Sequence, residues 1–247
     1  MIGASIQGSG HERLAVPCQD AHSWAITEQG VLLAAIADGA GSAQYAEKGA
    51  ARAVEGAVHY LRDRLDSGTP TDSEGYSQLV SEAFRHARLA VEQEASNHES
   101  PVRDFASTLL IAVATDKIAA VGQIGDGAIV IGDDEDNVMA LTRPEHGEYI
   151  NETVFLTGPQ ALSQIQTNIW IGKPRYVSLF SDGLQMLALK MPEGTPHPPF
   201  FRPLFRFIAE TSDTLSGRED LSSFLFSPRI RSRTDDDLTL LVCAHVD

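Results

Sequence analysis

Cysteine is scarce in this sequence of 247 residues, and the two that occur form no recognisable site. Cys18 and Cys243 stand far apart, with no Cys-x-x-Cys pair and no spacing typical of zinc ligands. Disulfide-stabilised secreted domains are rich in cysteine. The scarcity therefore argues against that class and fits a protein of the reducing cytoplasm.

Long apolar runs are absent as well. No window approaches the roughly 18 consecutive apolar residues of a membrane-spanning helix. The first residues, MIGASIQGSGHE, lack the basic stretch followed by an apolar one that is typical of an export signal. We therefore expect a cytoplasmic protein that is neither exported nor embedded in a membrane.

Basic residues are outnumbered. The chain has 19 Lys and Arg against 34 Asp and Glu, which gives a formal net charge of -15. Non-specific nucleic-acid binding needs an excess of Lys and Arg to hold phosphates, so the composition argues against nucleic acid as a partner. The acidity suits a protein that gathers divalent cations, although solubility alone explains it equally well.

No Pro-, Gly- or Ser-rich linker divides the chain. Hydrophobic residues make up 43% and charged residues 21%, which is ordinary for a globular domain with a substantial core. We therefore predict one domain over residues 1–247. The sequence does not indicate an oligomeric state.

Short apolar runs between turn residues predict strands. Residues 43–65 and 76–94 carry apolar residues at helical spacing and predict an antiparallel helix pair. Residues 184–189, 200–210 and 219–226 predict shorter helices. Strands in hairpin-like groups with inserted helices favour an α+β fold, an antiparallel β-sandwich flanked by helix pairs, over a doubly wound parallel sheet. The predicted strands are IGASIQ, HSWAIT, VLLAAIAD, STLLIAVAT, IAAVGQIGD, AIVIGD, YVSLFSD and LTLLVCAHV.

Aspartates mark the ends of several predicted strands. Asp38, Asp126 and Asp182 each follow an apolar strand and precede a glycine. Asp20 begins an early strand, and the run 235–237 precedes the last one. In antiparallel sheets the start of one strand lies at the same edge as the end of its neighbour. We therefore expect these side chains to converge on one rim.

Converging carboxylates repel one another unless a cation lies between them. Ligands that are all oxygen favour Mg²⁺ or Mn²⁺ over zinc or copper. Parts of the pattern have simpler interpretations, because Gly125-Asp126-Gly127 lies between two strand patterns as a hairpin turn does. The run 235–237 could likewise be a solvated loop. Their combination at strand ends favours a divalent metal site.

These residues, in this order, resemble the protein phosphatase type 2C (PPM) family, and more closely its compact bacterial branch. The resemblance implies a four-layer α-β-β-α fold and a metal-dependent serine/threonine phosphatase, a signalling hydrolase that uses two Mn²⁺ or Mg²⁺ ions. It implies a phosphorylated protein as substrate and a Ser/Thr kinase as a candidate partner. The motifs that carry it span nearly the whole chain: GHERLAVPCQDAH, AIADGAGSAQYAEKGA, FASTLLIAV, GQIGDG, LFSDGL and TDDDLTLLV.

The resemblance also implies which residues bind metal. Asp38 matches the carboxylate that bridges both ions, and the carbonyl of Gly39 matches a ligand of one of them. Asp182 and Asp236 match ligands of the other ion. Asp126 matches a residue that holds a third, weaker ion.

Two further roles concern the chemistry itself. Asp20 matches an acidic residue that orients water at the metals. The leaving seryl or threonyl oxygen must be protonated, and His11 or His22 could supply that proton, as could a water molecule at the metals.

The sequence departs from the family pattern around the phosphate site. Ala15 stands where a phosphate-binding arginine is expected, Gln19 where many members have glutamate, and Asp237 where asparagine is usual. Arg13 is one substitute for the missing arginine. Arg231 and Arg233, which alternate with Arg229 in RIRSR, are others, since a strand-like approach to the rim would point them to one side.

These departures leave two other functions open. A pseudophosphatase would bind a phosphoprotein without turnover, which Gln19 and the missing arginine favour and the intact Asp38, Asp182 and Asp236 oppose. An enzyme acting on small phosphate esters is the second alternative. Turnover of a phosphopeptide and of p-nitrophenyl phosphate, with and without Mn²⁺, separates the three.

We predict that phosphatase activity requires Mn²⁺ or Mg²⁺, because every proposed ligand is an oxygen atom. Turnover of p-nitrophenyl phosphate and of a phosphopeptide should disappear in EDTA and return when either ion is added in excess. Full turnover in EDTA would exclude two-metal chemistry.

Overall fold

A computed structural model describes residues 1–144 and 153–245 of the chain. Its strands are Ile2–Ile6 (β1), Asp20–Ile26 (β2), Leu32–Asp38 (β3), Leu109–Ala114 (β4), Ile118–Ile124 (β5), Ala128–Gly132 (β6), Val138–Ala140 (β7), Gln166–Ile171 (β8), Tyr176–Phe180 (β9), Leu189–Lys190 (β10), Thr195–Pro196 (β11) and Leu238–Ala244 (β12). Its α-helices are Ser9–Leu14 (α1), Ala46–Asp66 (α2), Ser73–Asn97 (α3), Gln185–Ala188 (α4), Pro198–Glu210 (α5), Thr214–Leu225 (α6) and Pro228–Arg231 (α7). Short 3-10 turns cover Val102–Phe105, Ala161–Ser163 and Asp182–Leu184.

Two five-stranded antiparallel sheets form the centre of the fold. One has the order β1-β12-β9-β6-β7 and the other the order β2-β3-β4-β5-β8, while β10 and β11 form a separate ribbon. An aliphatic core that includes Ile36, Val121, Ile129 and Leu241 lies between the two sheets. The predicted antiparallel sandwich is therefore confirmed.

Helices cover the outer face of each sheet. The pair α2 and α3 packs on the second sheet through residues such as Leu61 and Phe84, and α5 with α6 packs on the first through residues such as Phe201 and Leu221. Strand β3 shows why the central strands are apolar throughout. Leu33 faces the helices and Ile36 faces the other sheet, so both faces of the strand are buried.

Two of the four edge strands are hard to see in the sequence. The predicted strands correspond to β1 to β6, β9 and β12, whereas the edge strands β7 and β8 and the two-residue strands β10 and β11 are not predicted. The sequence of β8, QTNIWI, mixes polar with apolar residues, and none of its side chains is fully buried. An edge strand of this kind lacks the apolar run that marks a central strand.

The sequence around Asp126 does not form a hairpin turn. Strand β5 belongs to one sheet and β6 to the other, so Gly125-Asp126-Gly127 is a crossover between sheets. The hairpin interpretation is therefore wrong. A hairpin would pair β5 with β6, but β5 pairs with β4 and β8 whereas β6 pairs with β7 and β9.

The segment RIRSR begins in a helix, Pro228–Arg231 (α7), and ends in the turn that follows it, which overturns the predicted strand-like approach. Pro228 suits the first turn of α7, where its fixed φ favours a helix and its missing N–H is not needed. The turn continues past the helix, since the Arg233 N–H donates to the Ile230 carbonyl at 2.9 Å. Residues four apart share a helix face. Arg229 and Arg233 accordingly line one cavity, while Arg231 pairs elsewhere with Glu12.

The long helices are amphipathic. Across residues 1–144 and 153–245, no helix combines the length and the apolar composition needed to cross a bilayer. The cytoplasmic location and the single domain over residues 1–247 remain predictions.

Candidate metal centre

Strand pairing brings the predicted aspartates to one edge of the sandwich. Asp20, at the start of β2, lies directly opposite Asp38, at the end of β3. Asp182 follows β9 and Asp236 precedes β12, and these two strands are antiparallel neighbours. Asp126 lies where the chain crosses from β5 to β6.

Three of these carboxylates form a tight group. One oxygen from each of Asp38, Asp126 and Asp182 lies within 4.8 Å of the others. Oδ1 of Asp182 and Oδ1 of Asp20 are buried and have no hydrogen-bond donor among the residues that the structure describes. Buried acceptors are normally satisfied, so these oxygens fit a divalent cation and its waters. Asp236 is not part of the group of three.

Burial raises the pKa of the clustered carboxyls. For Asp182 burial is the largest cause and the charges of Asp126 and Asp236 add to it, which brings its pKa to about 7. For Asp38, burial and then the charges of Asp20, Asp182 and Asp236 hold the pKa well above its usual value. Both shifts mean that ionisation here costs free energy, and a bound cation would remove that cost.

Asp20 is held by hydroxyl groups. The Ser181 Oγ donates to its Oδ2 at 2.7 Å, and the Ser181 Oγ in turn accepts the Thr239 N–H at 3.0 Å. Burial raises the pKa of Asp20 to about 7, although hydrogen bonds from Ser181 and Thr239 oppose the rise. One oxygen of Asp20 is thus fixed, and the other is left for water or a cation.

Asp38 and Gly39 are fixed through their backbone. The Asp38 N–H donates to Thr108 Oγ1 at 2.9 Å, and the Thr108 N–H donates to the Asp38 carbonyl at 2.8 Å. Gly39 is wedged between neighbouring chain segments, because a Cβ there would lie 2.7 Å from the Ala46 carbonyl oxygen and 2.8 Å from the Gln19 carbonyl oxygen. Only glycine fits at this position without moving α2.

Asp126 has two partners. The Thr153 Oγ1 donates to its Oδ2 at 2.8 Å, and the Gln185 side-chain amide donates to its backbone carbonyl. The second contact ties the crossover between the sheets to α4, the helix that follows Asp182.

Asp237 joins three parts of the site. It is 2% exposed, and it accepts the Gly8 N–H at 2.7 Å and the Gln19 N–H at 2.6 Å. The His11 Nδ1 lies 2.9 Å from Oδ2, the oxygen that also accepts the Gln19 N–H. An ionised carboxylate only accepts, so Nδ1 carries the proton and Nε2 is the other nitrogen available for chemistry. Asparagine has one carbonyl oxygen and could not accept all three bonds in this way.

The two candidate histidines occupy different environments. His11 lies in α1, not in a loop, and is half-buried beside Asp237. His22 is hydrogen-bonded to the Ser5 Oγ at 2.8 Å. Burial lowers the pKa of His22 to about 4, with a contribution from Arg218, so His22 is neutral near pH 7. A neutral, half-buried histidine is a poor acid.

Comparison with known proteins connects this geometry to a family. The sequence profile of the protein phosphatase 2C family matches residues 7–226. The chain belongs to this family. Serine/threonine-protein phosphatase 3 of Escherichia coli (strain K12) is 37% identical to it, over 97% of this chain and 96% of the relative.

Solved structures share the fold of this protein phosphatase 2C member. The serine/threonine phosphatase of S. agalactiae has a TM-score of 0.64 at 14% identity, covering 99% of this chain and 98% of its own. The catalytic domain of the serine threonine protein phosphatase PstP, solved with two manganese ions, has a TM-score of 0.62 at 16% identity, covering 99% and 97%. The resemblance seen in the sequence is thus confirmed, together with the predicted fold and the phosphatase class.

The candidate phosphate-binding arginines of this 2C phosphatase are dispersed. Arg13 pairs with Asp235 at 3.1 Å, and both side chains are exposed. Arg231 pairs with Glu12, and its guanidinium lies 4.5 Å from the centre of the Phe226 ring. Arg233 lines a cavity formed by the helices after Asp182. The expectation that Arg231 and Arg233 point to one side is therefore wrong.

Several contacts at the site are not evident from the sequence. Ser181 stands beside Asp182, so adjacency to a motif was a usable signal for it. Asp237 drew attention only as a replacement for asparagine. Thr108 and Thr153 carry no local signal, because they reach Asp38 and Asp126 from 70 and 27 residues away.

We predict that Asp237→Ala lowers the free energy of unfolding by about 2–4 kcal/mol, because two buried N–H groups, those of Gly8 and Gln19, lose their acceptor. Urea unfolding in EDTA measures this without a contribution from metal. Asp235→Ala is the matched control, since it removes an exposed carboxylate whose ion pair contributes less than about 1 kcal/mol. An equal loss in the two variants would contradict the role of Asp237.

Proposed function

We propose that this chain removes phosphate from phosphoserine and phosphothreonine in proteins, with two Mn²⁺ or Mg²⁺ ions held at the aspartate rim. The observation that carries the proposal is the group of Asp38, Asp126 and Asp182, whose oxygens lie within 4.8 Å of one another. The buried Oδ1 of Asp182, which has no donor among the described residues, adds to it. The phosphatase activity named for the E. coli relative supports the substrate class.

The proposed ligands are those that the family resemblance implies, and three of them form the observed carboxylate group. Asp38 and the carbonyl of Gly39 would hold one ion, and Asp38 would share the second with Asp182 and Asp236. Asp126 would serve a third ion. Asp236 lies outside the group of three, but its charge contributes to the raised pKa of both Asp38 and Asp182, which fits a position at the same centre.

Bound divalent ions would supply a nucleophilic water at neutral pH and would neutralise charge on the phosphoryl group. The protein's own groups would orient the reactants. Asp20, held at Oδ2 by Ser181, would accept a hydrogen bond from the attacking water at Oδ1. His11 would donate a proton from Nε2 to the leaving oxygen, while Asp237 would fix the ring through Nδ1.

Aspartate-to-asparagine variants test the ligands directly. We expect Asp38→Asn and Asp182→Asn each to reduce kcat by far more than tenfold, because each removes charge from the cation site while keeping the side-chain volume. Asp116→Asn, in the exposed turn at the opposite end of β4, should keep wild-type activity. A variant that retains more than about a tenth of wild-type kcat, a change of roughly 1.4 kcal/mol, would show that its residue is not a central ligand.

A thermal readout separates metal binding from turnover in the same variants. Mn²⁺ should raise the melting temperature of the wild-type protein, since a ligand that binds only the folded state stabilises it. The rise should be much smaller for Asp38→Asn and unchanged for Asp116→Asn. A melting temperature in EDTA at or above that of the wild type would show that the fold is intact, because loss of a repelling carboxylate does not weaken the metal-free protein.

A role for the candidate arginines in binding the substrate phosphate is also a proposal. We expect Arg13→Ala, Arg231→Ala or Arg233→Ala to lower kcat/KM for a phosphopeptide by about tenfold, since a bond to a charged group contributes about 1.5 kcal/mol. Assays at low and physiological salt distinguish direct contact between arginine and phosphate from long-range electrostatic attraction, which salt screens. Arg62→Ala, on the distant α2, is the control. Losses in kcat/KM below about threefold at all three positions would show that none of these arginines binds the substrate phosphate.

A further inference from the structure

A cavity of about 660 Å³ lies among α4, α5, α6 and α7, outside the metal centre. Its floor is apolar and is formed by Leu204, Leu221, Phe224 and Ile230. Met186, on α4, also lines it and is 74% exposed, so a large apolar side chain faces solvent there. We call this surface the apolar groove. Its size and composition are those of a binding site and not of a packing defect.

The rim of the apolar groove is cationic. Lys190, Arg229 and Arg233 line it against a single carboxylate, that of Asp220. Within residues 1–144 and 153–245, none of the three cationic side chains forms an ion pair or a hydrogen bond. The chain as a whole carries a net charge of -15. An apolar floor with an unneutralised basic rim complements a partner that presents an apolar side chain next to acidic ones.

Two residues that line the apolar groove lie close in the chain to proposed metal ligands. Met186 lies four residues after Asp182, and Arg233 lies three residues before Asp236. Three residues of chain span at most about 11 Å, so the basic rim is close to the proposed ligands. An extended peptide with its phosphorylated residue at the metals would reach the groove about three to six residues away.

We propose that the apolar groove binds the substrate segment that flanks the phosphorylated residue, and that it selects a large apolar side chain next to Asp or Glu. The inference rests on the proposed phosphatase function and adds the substrate class to it. The apolar side chain would be buried against Leu204 and Phe224, and the carboxylates would pair with Lys190 and Arg229. The short chain distance from Arg233 to Asp236, together with the basic rim on an acidic protein, favours a substrate segment over any other occupant.

Three phosphothreonine peptides test the preference. The first carries Leu or Phe flanked by Glu at three to six residues from the phosphothreonine, the second has Ser in place of the apolar residue, and the third has Lys in place of Glu. With Mn²⁺ and the wild-type protein, we expect kcat/KM for the first to exceed that for either other peptide by at least tenfold.

Variants then assign the preference to the groove. Lys190→Glu/Arg229→Glu should bring the three peptides to within threefold of one another, and Met186→Ser should reduce the advantage of the apolar residue. Turnover of p-nitrophenyl phosphate, which is too small to reach the groove, should change less than twofold. Arg62→Glu makes the same charge change on α2 and should keep the preference. Melting temperatures show whether each variant is folded. If the double variant is unstable, Arg229→Glu alone replaces it in the assays.

A binding measurement separates failure of the groove inference from failure of the proposed phosphatase function. Fluorescence anisotropy measures binding of a labelled peptide with Glu at the phosphosite, and the double variant should weaken this binding at least fivefold.

If the double variant weakens peptide binding while the wild-type protein does not turn over p-nitrophenyl phosphate, the phosphatase proposal fails and the groove inference stands. If turnover is normal but the peptides differ by less than threefold, or the double variant keeps the preference, the groove inference is overturned. It is also overturned if sedimentation shows a dimer that the double variant disrupts with the preference unchanged.

Discussion

Repulsion among half-buried carboxylates at one rim of the sandwich is the constraint on which the rest of the structure depends. Oxygens of Asp38, Asp126 and Asp182 lie within 4.8 Å of one another, and burial with mutual charge raises the pKa of Asp38 and Asp182. A fold selected for stability alone would avoid this arrangement. Two sheets with an aliphatic core between them and helices outside fix the carboxylates at that spacing, so that binding of a cation restores the free energy lost to repulsion.

Neutral hydroxyl groups hold several of the aspartates of the site in place. Thr108 fixes the backbone of Asp38, Ser181 bonds Asp20, and Thr153 bonds Asp126. Among residues 1–144 and 153–245, no Lys or Arg forms an ion pair with these aspartates. An arginine there would neutralise the carboxylates and compete with a metal, whereas hydroxyl and N–H groups orient them and leave their charge available.

Helical geometry separates the arginines near the rim into different roles. In α7 and the turn after it, Arg229 and Arg233 face the apolar groove, and Arg231 pairs with Glu12 on α1. Asp237 links the same α1 to β2 and β12 through Gly8, Gln19 and His11. The entrance to the site is therefore built from segments at both ends of the chain, and the groove beside it has the opposite charge to the protein as a whole.

The sequence by itself determined the central strands, the long helix pair and the position of the aspartates at strand ends, because apolar periodicity and strand alternation are local properties. Family motifs spread along the chain identified the phosphatase. Only the tertiary structure decided that the turn at Asp126 crosses between sheets and that RIRSR forms a short helix and the turn after it. The contacts of Thr108 and Asp237 at the site are likewise visible only in the tertiary structure. These features depend on which segments pair and pack across long separations, and no local pattern encodes the partner of a strand or the acceptor of a buried N–H.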